Sequence, residues 1–162
     1  MKRVRSVIGI GASAFSLALV GCGGSPKTTT AVTMTRHQAG QAYLAAVAAT
    51  NAAGAALAGK IRAYTDSTPG SQISADARPF ERRLTELNGN LLDIATAYPP
   101  VAADLKALVT AYNPVIRDLR SAISQKSVNA TAWLHRLASD LTKTQTAAAT
   151  VRSNLGLPHA GS

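Results

Sequence analysis

Four apolar stripes with helical spacing constrain this chain more than any other feature. Tyr43, Val47, Thr50, Gly54, Leu57, Ile61 and Tyr64 recur at alternating steps of four and three. Phe80, Leu84, Leu87, Leu91, Ile94 and Tyr98 repeat the pattern, as do Val101, Leu105, Leu108, Tyr112, Val115 and Leu119. The last stripe runs through Leu134, Leu137, Leu141, Thr144, Ala148, Val151 and Leu155. Such steps return to one face of an α-helix at every turn, whereas a half-buried strand needs alternation by two. No segment sustains that alternation. A helix with one apolar face must bury it against other helices. The sequence therefore predicts an all-α fold, an up-down-up-down antiparallel four-helix bundle over residues 36–156.

The breaks between stripes fit that division. Thr65 to Gln72, "TDSTPGSQ", reads as a loop. Asp76 is a candidate cap for the second helix, which would put Pro79 in the first turn, where proline is tolerated. Pro99 and Pro100 separate the second helix from the third, and Ser124 to Ser127 forms a polar turn. Gly156, followed by Leu157 and Pro158, is a helix stop that leaves residues 157–162 as a tail. Two turn signals fall inside stripes, Asn88-Gly89-Asn90 in the second and Asn113-Pro114 in the third. The heptad register passes both without a slip, which predicts irregularities within continuous helices. The alternative is a shorter third helix and a fifth that starts at Pro114.

The segment ahead of the stripes has a different character. Lys2, Arg3 and Arg5 open the chain, and Val7 to Gly21 follows with no charged residue. A bilayer span needs about 20 apolar residues, so this run is short for a stable anchor. A charged start, a short apolar middle and a small-residue exit read as a secretory signal, with the positive end held in the cytoplasm. The chain's one cysteine, Cys22, stands at that exit.

Leu19-Val20-Gly21-Cys22 resembles the lipobox of bacterial lipoproteins at all four positions. The resemblance covers residues 1–22. It implies a signal peptide of residues 1–21, recognised by a signal peptidase through Leu19, Val20 and Gly21. It also implies a diacylglyceryl group joined to the Cys22 thiol by a thioether. The other reading is an ordinary secretory signal with a chance cysteine, although a free exposed thiol is a liability in an oxidising compartment. The whole resembles small lipoproteins of actinobacteria. The expected location is the extracytoplasmic face of the cell membrane, lipid-anchored. Residues 22–35 are small and polar and read as a flexible tether, with a reach of about 20 Å for roughly a dozen residues.

Charge and chemistry narrow the function classes. The formal net charge is +9, and +6 once the three basic residues of the signal are removed. A basic surface favours anionic lipid or a wall polymer as partner. No run of Lys and Arg reaches five residues and no aromatic is interleaved with one, which argues against nucleic acid. His37, His135 and His159 have no helical pairing that would put two ligands on one face, so no metal or cofactor is expected. There is no glycine-rich phosphate loop, no G-x-S-x-G elbow and no E-x-x-H pair. An enzyme is not expected. The acidic residues read as helical surface pairs, Glu86 with Arg82 or Arg83 and Asp118 with Arg117 or Arg120.

The first helix is mostly alanine from Ala45 to Ala58. Tight packing against leucines opposite is the simpler expectation. The other is a groove for an apolar ligand, with Ala49 and Ala53 along it and Tyr64 and Trp133 at its mouth. The leading functional expectation is a non-enzymatic interaction or accessory module that meets another envelope protein. The alternative is a binding protein or carrier for a small apolar ligand in the bundle core.

Overall fold

A computed structural model of the 162-residue chain describes residues 33–158. The lipobox, Cys22, most of the tether and His159 lie outside the described residues. Ala31–Ser162 forms one compact unit. Its helices are α1 (Arg36–Ile61), α2 (Gly70–Ala97), α3 (Ala102–Ser124) and α4 (Ala130–Leu155), with a 3-10 turn over Pro99–Val101. The fold is an all-α, antiparallel four-helix bundle.

Cross-helix pairs give the direction of each helix. Along α1 and α2, Met34 meets Ala97, Thr50 meets Arg83 and Lys60 meets Asp76. Ser74 of α2 reaches Ile123 of α3, while Asn88 reaches Asn113. Trp133 of α4 donates to the Asp118 carbonyl of α3, and Asn154 donates to Asp104. In each case one number rises as the other falls, so neighbours run antiparallel. The stripes supply most of the core: Leu84, Leu87, Leu91, Leu105, Leu108, Val115, Leu119 and Val151 are almost wholly enclosed, and Trp133, beside the fourth stripe, joins them while Leu134 stays half-buried. Full burial of a large aliphatic side chain is worth about 1.5–3 kcal/mol.

Side chains close the helix ends where the sequence supplies the right groups. Thr35 and Gln38 form a reciprocal capping box at α1, and the Asn129 side chain accepts from Ala132 N–H at α4. Gly156 adopts φ 70° past the end of α4, which lets the Leu157 amide reach back to the Arg152 carbonyl at 2.9 Å.

Three sequence expectations need correction or refinement. First, α2 begins at Gly70 and not after Asp76, so Pro79 lies inside the helix. Ile73, Ser74 and Ala77 are buried against the bundle, and their burial carries the helix back through the expected cap. Asp76 binds Lys60 and Tyr64 instead. Second, α2 runs unbroken through Asn88-Gly89-Asn90, and α3 runs unbroken through Pro114, so no fifth helix starts there. An interior proline costs about 3 kcal/mol. Burial of Leu105, Leu108, Val115 and Leu119 on both sides of it offsets that cost. The two turn-signal asparagines, Asn88 and Asn113, meet across the α2–α3 interface.

The third correction concerns Asp118. It pairs with neither Arg117 nor Arg120, because Arg120 turns to Glu81 at 2.7 Å. Asp118 is buried, and its Oδ2 has no hydrogen-bond partner among the described residues. Glu86 does pair with Arg83 at 2.7 Å and, more loosely, with Arg82 at 3.8 Å.

Candidate functional site: the seam between α1 and α4

Three of the four bundle edges are closed by packed side chains. The fourth, between α1 and α4, is joined at its ends and open in the middle. At one end the Arg36 guanidinium donates to the carbonyls of Asn154 (3.0 Å) and Ser153 (3.3 Å), and Leu157 lies against Gly40. At the other end the Asp66 carboxylate accepts from the Thr131 amide (3.3 Å) and hydroxyl (2.9 Å). There the Tyr64 and Trp133 rings also meet, with centroids 6.4 Å apart.

Between these two pins lies a groove of ≈ 520 Å³. Helix α1 lines it with Thr50, Asn51, Gly54, Leu57, Ala58 and Ile61. Phe80 and Leu84 of α2 and Tyr112 of α3 line it as well. Helix α4 contributes Leu137, Leu141, Thr144, Gln145 and Ala148. The seam stays open because the facing positions are small. Thr50, Gly54 and Ala58 follow at steps of four along α1, while Thr144 and Ala148 do so along α4, which puts each set on one face. None is long enough to fill the gap. Thr50 is also drawn away, since its hydroxyl donates to the Arg83 carbonyl of α2 at 3.2 Å. The Thr144 hydroxyl turns back to Leu141 of its own helix at 2.7 Å.

Among the described residues no charged side chain lines the groove. Its remaining polar groups are the exposed amides of Asn51 and Gln145 and the hydroxyl of Tyr112. Tyr112 has no hydrogen-bond partner among the described residues. Burial, with the nearby Tyr43 adding to it, pushes the Tyr112 hydroxyl up to about 12. It therefore stays protonated at neutral pH and can donate. Apolar walls with a few polar groups, at a volume within the roughly 300–1,000 Å³ of small-molecule sites, are the usual makeup of a ligand pocket.

The residues that the sequence singled out for a groove do not line this one. Ala49 is exposed, and Ala53 is half-buried against the core. Tyr64 and Trp133 belong to the pin at the end of the seam. Tyr64 donates to Asp76 at 2.9 Å, and the Trp133 indole donates to the Asp118 carbonyl at 3.1 Å. One residue along a helix turns the side chain by about 100°, so Ala49 and Ala53 point away from the face that carries Thr50 and Gly54. A usable signal was present in the stripes. Thr50 and Gly54 in the first, and Thr144 and Ala148 in the fourth, are small members of otherwise large stripes.

Other polar clusters are less suited to a ligand. Asp118, His135, Asp140 and Lys143 border a shallow α3–α4 depression, where Lys143 already pairs with Asp140 at 2.7 Å. Among the described residues no group of three or more His, Cys, Asp or Glu side chains is placed to hold a metal ion. Helix α1 is long and apolar enough, by length and composition, to cross a membrane. Here its Tyr43, Val47, Thr50 and Leu57 pack into the bundle.

Comparison with known protein families, with curated proteins and with solved structures finds no match to this chain.

Proposed function

We propose that this protein is a lipid-anchored, non-enzymatic binding module of the bacterial cell envelope. It holds a small apolar ligand in the groove between α1 and α4. The observation that carries the reading is that uncharged groove of ≈ 520 Å³, held open at mid-seam between two fixed ends. Between an interaction module and a carrier, the groove favours the carrier. The anchoring half of the proposal rests on the lipobox resemblance at Leu19 to Cys22 and on the charged, short apolar segment before it. Two long acyl chains, at about 0.8 kcal/mol per buried methylene, would hold the protein at the membrane.

The test is native mass spectrometry of residues 31–162, purified from the host envelope, beside the denatured mass. Extra mass that is lost on denaturation is expected, and it should disappear in Ala58→Leu and Ala148→Leu. Both substitutions put bulk into the groove from its wall. A bare mass from wild type, with added apolar compounds also failing to bind, would overturn the carrier reading. The anchor is tested separately by Cys22→Ser in the full chain, which should release the protein or leave an uncleaved precursor. Wild-type processing and membrane retention of that variant would overturn it.

A further inference from the structure

Resting on the carrier reading, we propose that the groove's ligand is a neutral single-chain acyl lipid, bound through an ester or hydroxyl oxygen to the Tyr112 hydroxyl.

Shape comes first. Thr50 to Ile61 on one side and Leu137 to Ala148 on the other flank the groove, each about 17 Å long at about 1.5 Å rise per residue. A volume of ≈ 520 Å³ spread over about 17 Å gives a cross-section of about 30 Å². One polymethylene chain fits such a slot. Arg36–Asn154 and Asp66–Thr131 join the two sides of the seam beyond the groove.

Charge comes second. A carboxylate or phosphate drawn into the slot would meet no cation from the described residues, since none of those that line it is charged. Burying an ion without a partner is costly, whereas burying a hydroxyl or ester is cheap once it is hydrogen-bonded. The chain carries many basic residues, but none of the described ones lines this groove.

The polar match comes third. Tyr112 lines this apolar wall as a protonated donor with no hydrogen-bond partner among the described residues. An ester carbonyl or a hydroxyl oxygen satisfies it, and an alkane leaves it as it is. The exposed Asn51 and Gln145 amides on the flanking helices suit the hydroxyls of a glycerol-type head.

The experiment measures affinity of residues 31–162, a compact unit with its own core, for four probes of equal chain length at neutral pH. These are monomyristoylglycerol, ionised myristate, myristoyl lysophosphatidylglycerol and tetradecane. The proposal expects one monoacylglycerol per chain, bound at least about tenfold more tightly than either anionic probe. Tyr112→Phe should weaken the monoacylglycerol by about tenfold, the size of one lost hydrogen bond, and leave tetradecane unchanged. Ala148→Leu should weaken every probe, which keeps the test decisive if Tyr112→Phe folds poorly. Equal or tighter binding of an anionic probe would overturn the ligand class while the carrier reading stands. So would a Tyr112→Phe variant that folds and binds the monoacylglycerol as wild type does. If no probe binds, tetradecane included, both fall.

Discussion

Phe80 of α2 lies across Gly54 of α1, so that a Cβ at position 54 would sit 3.1 Å from the ring's Cε2. Both residues line the groove. Gly54→Ala should therefore do two things at once. Alanine gains up to about 1 kcal/mol of helix propensity over glycine. The Phe80 ring has open space beside it and can give way by the few tenths of an ångström required. Stability should hold or rise by less than about 1 kcal/mol, while ligand affinity drops because the yielding ring takes groove volume. Denaturant unfolding, together with a binding titration, checks both halves.

Gly70→Ala should behave in the opposite way. At this first residue of α2 a Cβ would lie 2.5 Å from the Lys126 carbonyl oxygen and 3.0 Å from its carbon. The obstacle is the backbone of the α3–α4 connection and cannot rotate aside. A loss of about 1–3 kcal/mol is expected from overpacking. The denaturation midpoint measures it, and a midpoint equal to wild type would show that the loop yields freely.

Acid should weaken the bundle partly through Asp76. The Lys60 ammonium 2.6 Å away holds this carboxyl below its ordinary 3.8, aided by the Tyr64 hydroxyl and opposed by burial. A carboxyl with a lowered folded value contributes stability above its ordinary value and loses it as pH falls through the lowered one. Asp76→Asn should flatten the acid limb of the stability profile below about pH 4 and lower stability modestly at neutral pH, since Lys60 is largely exposed. Unfolding curves across that range decide it.

Alkali should weaken it through tyrosine. Burial raises Tyr43, Tyr64 and Tyr112 above their ordinary 10.0, Tyr112 to about 12. For a raised group the contribution is complete below the ordinary value and is lost as pH climbs through the folded one. Stability should fall above about pH 10, and Tyr112→Phe should remove part of that fall. Tyrosinate absorbance followed beside helicity tests this, because free titration at the ordinary value with no loss of structure would contradict it.

Much of the fold was legible in the sequence, and the site was legible in part. The four stripes predicted four helices and their antiparallel order, because each heptad face must be buried and the connections are short. Gly156 acted as the stop that its chemistry suggests. Asp76 misled, since a capping residue type is also a good ion-pair partner, and only the position of Lys60 and Tyr64 decided between the two uses. Asn88 and Asn113 carry turn signals, yet the unbroken heptad register predicted helices that run through both, and the two side chains meet across the α2–α3 interface.

The sequence by itself determined the helical class, the number of helices and most of the faces they bury, because periodicity is a property of each segment alone; on α4 the buried face turned to take in Trp133 and Asp140. It also carries Leu19-Val20-Gly21-Cys22, whose resemblance to a lipobox is a matter of local sequence alone. The open α1–α4 edge was decided only by tertiary structure. Whether Thr50, Gly54, Thr144 and Ala148 pack tightly or leave a void depends on how closely two helices from opposite ends of the chain approach. That distance is set by Arg36 against Asn154 and Asp66 against Thr131, contacts between residues far apart in sequence, and by Phe80 and Tyr112 from the other two helices.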